Sequence, residues 1–289
     1  MLGFKKTKFA VLLVIALAAF VAIAGCGKKE DTAARSETEG QNAETTLSGT
    51  VKVAGSTSVQ PLAEELAEAF MEENPEVTIS VQGGGSSAGV ESANTATAQI
   101  GTSSRELKDE EKGYGLVETV IAKDGIAIVI NNDNKVSSLT MEQVKKIFAG
   151  EIKDWREIGG DSAPITVVVR EEGSGTRGAF EEIVLGKDGK FIDNAVVQNS
   201  TGAVKTAVTK DPNAIGFISL GSVDSAVKAL KVDDVKPSEE TVIDGSYKIS
   251  RPFLFLTKGE TDDATKAFID FILGDEGQAI VSENYVTIK

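Results

Sequence analysis

Along the chain, short β-branched and apolar runs alternate with segments whose apolar positions recur every three or four residues. Val51-Lys52-Val53-Ala54 is the first such run, and a helix is predicted after it over 59–73, with Leu62, Leu66, Ala69 and Phe70 at helical spacing. A strand at 77–81, a helix at 88–97 and a short strand at 99–101 follow. Residues 116–122 and 126–130 read as two strands, the second nearly all apolar, as in a strand buried on both faces. A helix is predicted over 140–149 with Thr140 as its N-cap. Further on come strands at 165–169, 215–219 and 253–257, and helices at 176–185 and 201–210. Two helices, at 263–273 and 276–283, close the chain. The first of them carries Ala264, Phe268, Phe271 and Ile272 on one face. Such alternation predicts an α/β fold of parallel sheets with crossover helices. No internal repeat of fixed period is evident.

The first 26 residues break the alternation. Lys5, Lys6 and Lys8 precede an apolar run from Phe9 to Ala24, which ends in Ile23-Ala24-Gly25-Cys26. A basic start, a short apolar core and small residues before a cut describe a secretory signal, expected over 1–25. The run is short for a bilayer span, which needs about 20 residues. The small-small-Cys ending resembles the lipobox of bacterial lipoproteins, with Ile in place of the usual Leu at its first position. That resemblance implies lipidation of Cys26 and a membrane anchor on the extracytoplasmic face. Cys26 is the sole cysteine, so no intrachain disulfide can form. Residues 26–46 are polar and without apolar period, which predicts a flexible tether. The folded part is then roughly 47–289.

Charge narrows the partners. The chain carries −14, and loss of the three signal-peptide lysines takes the remainder to −17. Nucleic acid is an unsuitable partner for so acidic a chain. A small anion is not, because local dipoles can hold it.

Three segments share one design of strand, Gly/Ser/Thr-rich turn and helix. They are Gly55-Ser56-Thr57-Ser58, Gly83-Gly84-Gly85-Ser86-Ser87 and Arg170-Glu171-Glu172-Gly173-Ser174-Gly175-Thr176-Arg177. A helix N-terminus exposes unpaired N–H groups and the positive end of the helix dipole, and so attracts anions. Glycine lets backbone approach a ligand, and hydroxyls add donors. Arg170 offers a fork for two oxygens. Each turn alone is an ordinary cap; three in one chain point to a site for a tetrahedral oxyanion.

Other chemistries fit less well. Gly85-Ser86-Ser87-Ala88-Gly89 matches the Gly-x-Ser-x-Gly elbow, which would make Ser87 a nucleophile. The chain has no histidine, so a Ser-His-acid triad is impossible. Gly83-x-Gly85-x-x-Ala88 is a weak dinucleotide fingerprint without its third glycine. No Gly-Lys-Ser or Gly-Lys-Thr occurs, and zinc would have to rely on carboxylates. Neither a cofactor nor a metal is expected. Nothing singles out a glycosidase pair among the acids. Trp155, the only tryptophan, reads as packing.

With Ala54-Gly55-Ser56-Thr57-Ser58, the 83–89 turn, Ile100-Gly101-Thr102-Ser103-Ser104-Arg105-Glu106, Asp124-Gly125-Ile126-Ala127, Ile147-Phe148-Ala149-Gly150 with Trp155, and Gly173-Ser174-Gly175-Thr176-Arg177, the chain resembles the phosphate-binding proteins of bacterial phosphate ABC importers. These have the two-lobed type II periplasmic binding-protein fold, each lobe a mostly parallel sheet flanked by helices. The resemblance implies phosphate ligation by the Thr57 hydroxyl, the Ser58 N–H, Ser86, the Arg170 fork, Ser174, Gly175 and Thr176, with Arg105 and Arg177 in support. Ser104 stands where many members carry an Asp that accepts the proton of phosphate and repels sulfate. Glu171 or Glu172 is a candidate to replace that acceptor. A receptor for sulfate, molybdate or tungstate is the alternative within the fold. A serine hydrolase and a structural lipoprotein are more distant ones. The resemblance further implies lobes at 47–128 with 252–289 and at 129–251, hinge closure over the ligand, a monomer, no catalysis, and membrane permease subunits as partners.

Overall fold

The computed structural model describes residues 46–289. The expected signal peptide, Cys26 and all but Thr46 of the tether lie outside the described residues.

Strand β1 (Gly49–Gly55) leads into α1 (Gln60–Glu73), which carries Pro61 in its first turn and buries Leu62, Ala63, Leu66, Ala67 and Phe70. Proline suits that first turn because its missing N–H has no partner there anyway. β2 (Val77–Gly83), α2 (Ser86–Asn94), β3 (Ile100–Ser103) and the short α3 (Asp109–Lys112) follow. β4 (Leu116–Ile130) is one strand of 15 residues, not the expected two. Lys123-Asp124-Gly125 looks like a break in sequence, yet it stays extended because Asp124 finds its partner on a neighbouring strand. Then come β5 (Ser138–Leu139) and α4 (Met141–Phe148), with Thr140 Oγ1 accepting the Gln143 N–H as the expected cap.

β6 (Thr166–Arg170) precedes α5 (Gly175–Phe180). The helix expected to continue to 185 instead widens to a π-helical turn over Glu181–Leu185, which ends at left-handed Gly186 and keeps Val184 and Leu185 buried. β7 (Val196–Gln198), α6 (Thr201–Lys210), β8 (Ala214–Ser219), β9 (Lys228–Ala229), β10 (Lys231–Val232) and α7 (Glu239–Ile243) lead to β11 (Ser250–Lys258), α8 (Asp263–Leu273) and α9 (Asp275–Val281).

The main sheet has the order β2-β1-β3-β11-β4-β8-β6-β7, with β9 paired to β4. At one end β2, β1 and β3 are parallel, and at the other β8, β6 and β7 are parallel. Between them β11 and β4 run antiparallel to each other and to their outer neighbours. Each end has its own apolar core. In the first lobe Val51, Val53, Leu62, Leu66, Phe70, Ile100 and Phe255 pack with Phe268, Ile272 and Val281 of the closing helices. In the second, Ile128, Phe148, Trp155, Phe180 and Phe217 form one cluster, and Val168, Val204 and Ile218 another across the sheet. Phe180 and Phe217 stack with centroids 4.2 Å apart. Trp155 is buried, with its indole N–H donating to the Asn213 carbonyl at 3.0 Å, a packing residue as expected.

Helix α2 lies unusually close to the sheet. A Cβ on Gly89 would sit 2.3 Å from the Thr102 carbonyl oxygen, and one on Gly55 would sit 2.7 Å from Gly89 Cα. Only glycine permits that approach, and it fixes the start of α2 at the sheet's end.

Candidate anion-binding site

Four strand-to-helix turns, not three, meet at the lobe boundary. In the first, Ser56 Oγ accepts the N–H groups of Ser58 (3.2 Å) and Val59 (3.4 Å), shaping the entry to α1. In the second, Gly84 and Gly85 donate to the Gly55 carbonyl at 2.7 and 2.8 Å, and left-handed Gly85 (φ 91°) turns the chain into α2. Because α2 begins at Ser86, two residues earlier than expected, Ser86 and Ser87 lie in its first turn. In the third, Ser174 Oγ caps α5 by accepting the Arg177 N–H at 3.2 Å. The fourth turn joins β7 to α6, where Ser200 Oγ accepts the Ala203 N–H at 3.1 Å and leaves Thr201 at the first helical position.

The expected site residues come together in two groups. Ser58 Oγ lies 2.8 Å from Thr176 Oγ1 and 2.9 Å from Thr201 Oγ1, joining the lobes. Thr57 Oγ1 is 3.4 Å from Thr201 Oγ1 and accepts the Thr201 N–H at 3.3 Å. Arg170 Nη1 donates to Thr201 Oγ1 at 3.3 Å. In the second group, Ser56 Oγ donates to Ser104 Oγ at 2.9 Å, and the Ser104 N–H donates to Ser86 Oγ at 3.0 Å. Gly175 closes on these hydroxyls: a Cβ there would stand 2.2 Å from Ser86 Oγ and 2.7 Å from Ser104 Oγ. Across the boundary the Ser87 N–H donates to the Gly173 carbonyl at 3.0 Å. Ser58, Ser86, Ser104, Arg170, Ser174 and Thr176 are all buried.

Two of the expected ligand groups have protein partners in this structure. The Ser58 N–H is directed at Ser56 Oγ, and it is the Ser58 hydroxyl that faces the other lobe. The Ser174 hydroxyl accepts the Arg177 N–H as its helix cap, and its own proton has no acceptor among the described residues. Thr201 and Ser56 were not among the expected ligands. A polar turn ahead of a helix was the available signal for Thr201, but Ser200-Thr201-Gly202 follows a strand of only three residues.

Arg170 is held on three sides. Its Nε and Nη2 both donate to the Glu171 carboxylate at 2.8 Å, so both Glu171 oxygens are occupied by this fork. Arg177 Nη1 donates to the Arg170 carbonyl at 2.9 Å and its Nε to Glu181. Arg105 forks onto Glu111 at 2.7 and 2.8 Å and reaches Ser87 Oγ at 3.2 Å. Burial works to raise the Glu111 pKa, but the bonds from Arg105 and the Lys108 N–H outweigh it and hold the carboxyl below its ordinary value. Arg105 and Arg177 thus brace the turns, as supporting residues should. Ser87 receives a cation and no base, a poor setting for a nucleophile.

A further ion pair, fully buried, links β4 and β11. Arg251 on β11 and Asp124 on β4 are register partners, 3.0 Å apart at Nη2–Oδ2, each with a side chain 1% exposed. Ser219 Oγ and the Leu220 N–H also donate to Asp124. Burial pushes the Asp124 carboxyl up in spite of Arg251, and pushes the guanidinium pKa down. Arg251 Nη1 is the one buried side-chain polar atom among the described residues without a hydrogen-bond partner.

A two-lobed α/β receptor, with a buried cluster of hydroxyls and one guanidinium where the lobes meet, is the class that fold and site define. A PBP superfamily domain model matches residues 40–276, and the chain belongs to that superfamily. The phosphate-binding protein PstS of Bacillus subtilis is 34% identical over 98% of this chain and 95% of its own. That of Borreliella burgdorferi is 30% identical over 81% of this chain and 88% of its own. Among solved structures, a phosphate ABC transporter substrate-binding protein of Clostridium perfringens, with bound phosphate, aligns at TM-score 0.82 and 46% identity, over 83% of this chain and all of that one. An ABC-type phosphate transport receptor of Vibrio cholerae aligns at 0.69 and 37%, with the same coverage. The type II binding-protein fold expected from the sequence stands.

Proposed function

We propose that this protein captures inorganic phosphate between its lobes and delivers it to the membrane subunits of an ABC importer, without catalysing a reaction. One observation carries the reading: Ser58, Thr176, Thr201 and Arg170 form a single buried hydrogen-bonded group drawn from both lobes. Phosphate would be held by the Thr57 and Ser58 hydroxyls, Ser86, Ser104, the free edge of Arg170, and the first turn of α5 at Gly175 and Thr176, with Ser174 positioning that turn. Hydroxyls and N–H groups supply donors, and Arg170 supplies charge that Glu171 partly balances. The lobes are taken as 47–128 with 252–289 and 129–251, hinged on β4 and β11. Among the described residues no helix is long and apolar enough to cross a membrane. Membrane attachment is assigned to lipid on Cys26 of the mature, monomeric chain. Calorimetric titration with phosphate is expected to give submicromolar binding. No binding of phosphate or a related oxyanion would sink the proposal. Cys26→Ser is expected to release the protein from the membrane fraction; retention would remove the anchor from it.

A second reading is favoured by one observation. The family resemblance puts Ser104 where many members carry an acceptor carboxylate, and Glu171, the candidate substitute, has both oxygens on Arg170. Sulfate would then meet little repulsion. Competition titration separates the readings: a phosphate preference of about tenfold or less assigns the site to tetrahedral oxyanions in general.

A further inference from the structure

Among the described residues, Thr201 is the one hydroxyl that touches both the charged group of the site and the opposite lobe. Its Oγ1 accepts from Arg170 Nη1 at 3.3 Å and lies 2.9 Å from Ser58 Oγ, which in turn is 2.8 Å from Thr176 Oγ1. Its N–H donates to Thr57 Oγ1 at 3.3 Å, and the residue is 4% exposed. A guanidinium can only donate, so Thr201 Oγ1 gives Arg170 a lone pair and its proton is free for the Ser58 hydroxyl. The cap of α6 makes no claim on that hydroxyl, because Ser200 already fills it. The chain Arg170–Thr201–Ser58–Thr176 therefore crosses the lobe boundary twice. Glu171 holds the Nε–Nη2 edge of Arg170, and Thr201 holds Nη1.

We propose that Thr201 is a positioning residue that couples the orientation of the Arg170 guanidinium to closure of the lobes. The proposal rests on the oxyanion reading of the same cluster. Guanidinium and first lobe share one hydroxyl, so closure, by giving the Thr201 proton an acceptor on Ser58, holds that hydroxyl's lone pair toward Nη1. Loss of that hydroxyl frees Nη1 and removes a bond that opposes opening, so the effect falls mainly on dissociation.

The test compares the full-length protein with Thr201→Ala, Thr201→Val and Thr201→Ser. Phosphate binding is followed by stopped flow and at equilibrium. Amide hydrogen exchange over 56–60 and 200–204 is measured without phosphate. The Ala and Val variants are expected to bind phosphate about tenfold more weakly, chiefly through faster dissociation, and to exchange faster in both segments. Thr201→Ser is expected to restore both properties to within about threefold. A Val variant as tight and as protected as the parent, or a Ser variant as weak as Ala, overturns the proposal. If the parent binds no phosphate, the oxyanion reading fails, and the exchange measurement still decides whether Thr201 joins the lobes.

Discussion

Arg170 and Arg251 are both buried and both paired with a carboxylate, yet their surroundings differ in kind. The partner of Arg170 is its chain neighbour Glu171, whose side chain is 28% exposed, and Nη1 donates to the Thr201 hydroxyl. The partner of Arg251 is Asp124 on the adjacent strand, with both side chains sealed from water. The first pair joins two neighbours in the chain at the end of β6. The second bridges β4 and β11, which pair with each other along their length. Binding charges are balanced locally and kept open at one edge; structural charges are enclosed. Removing one partner of an enclosed pair strands the other, which is far costlier than losing the pair altogether.

The largest expected effect follows from the enclosed pair. Asp124→Ala should cost about 3–5 kcal/mol of stability in urea or thermal unfolding, and the double change Asp124→Leu, Arg251→Met should recover most of it. A loss under about 1 kcal/mol for Asp124→Ala would erase the distinction between the two arginines. Next, Arg170→Ala should weaken phosphate binding by about 2–5 kcal/mol, roughly 30- to 5000-fold, with little change in unfolding. Arg170→Lys should not restore it, since a point charge cannot replace the fork. An Arg170→Ala protein that binds normally but unfolds early would reverse the assignment.

A smaller effect is expected at Gly175, where a Cβ would collide with the Ser86 and Ser104 hydroxyls of the other lobe. Gly175→Ala should weaken phosphate by about 1–3 kcal/mol, roughly 5- to 150-fold, while the melting temperature holds. The last concerns acid. The Glu111 carboxyl is held below its ordinary value of 4.5 in the fold, so it stabilises the protein above that value. That contribution is lost as pH falls from about 4.5 through the lower folded value. Glu111→Gln should therefore be less stable than the parent at pH 7, by about 1–3 kcal/mol, and the gap should close in acid. A gap that persists below the folded value would place the role of Glu111 in packing.

Much of the site was legible in the sequence because its chemistry is local. Gly55 to Ser58, Gly83 to Ser87 and Arg170 to Thr176 each carry their own strand, turn and helix signals, and each sits at a strand-to-helix junction, with α2 starting two residues early. Thr201 was hidden because Ser200-Thr201-Gly202 is indistinguishable from a plain cap. Only the meeting with Thr57, Ser58 and Arg170, distant in sequence, gives it meaning. The same holds for β4. Lys123-Asp124-Gly125 carries turn residues, and only Arg251, 127 positions away, makes an extended Asp124 tenable in the core. The relay through Ser56 was missed likewise, since its hydroxyl serves the α1 entry and Ser104 together.

The lone indole of Trp155 gives this molecule a built-in optical asymmetry. It is 1% exposed and packed in the second lobe's core, so its emission starts blue and reddens when that core admits water. The first lobe holds no tryptophan and is dark under selective excitation. Emission set beside far-ultraviolet dichroism will therefore divide the melting of one half from that of the whole, and coincident curves would mark a single cooperative transition.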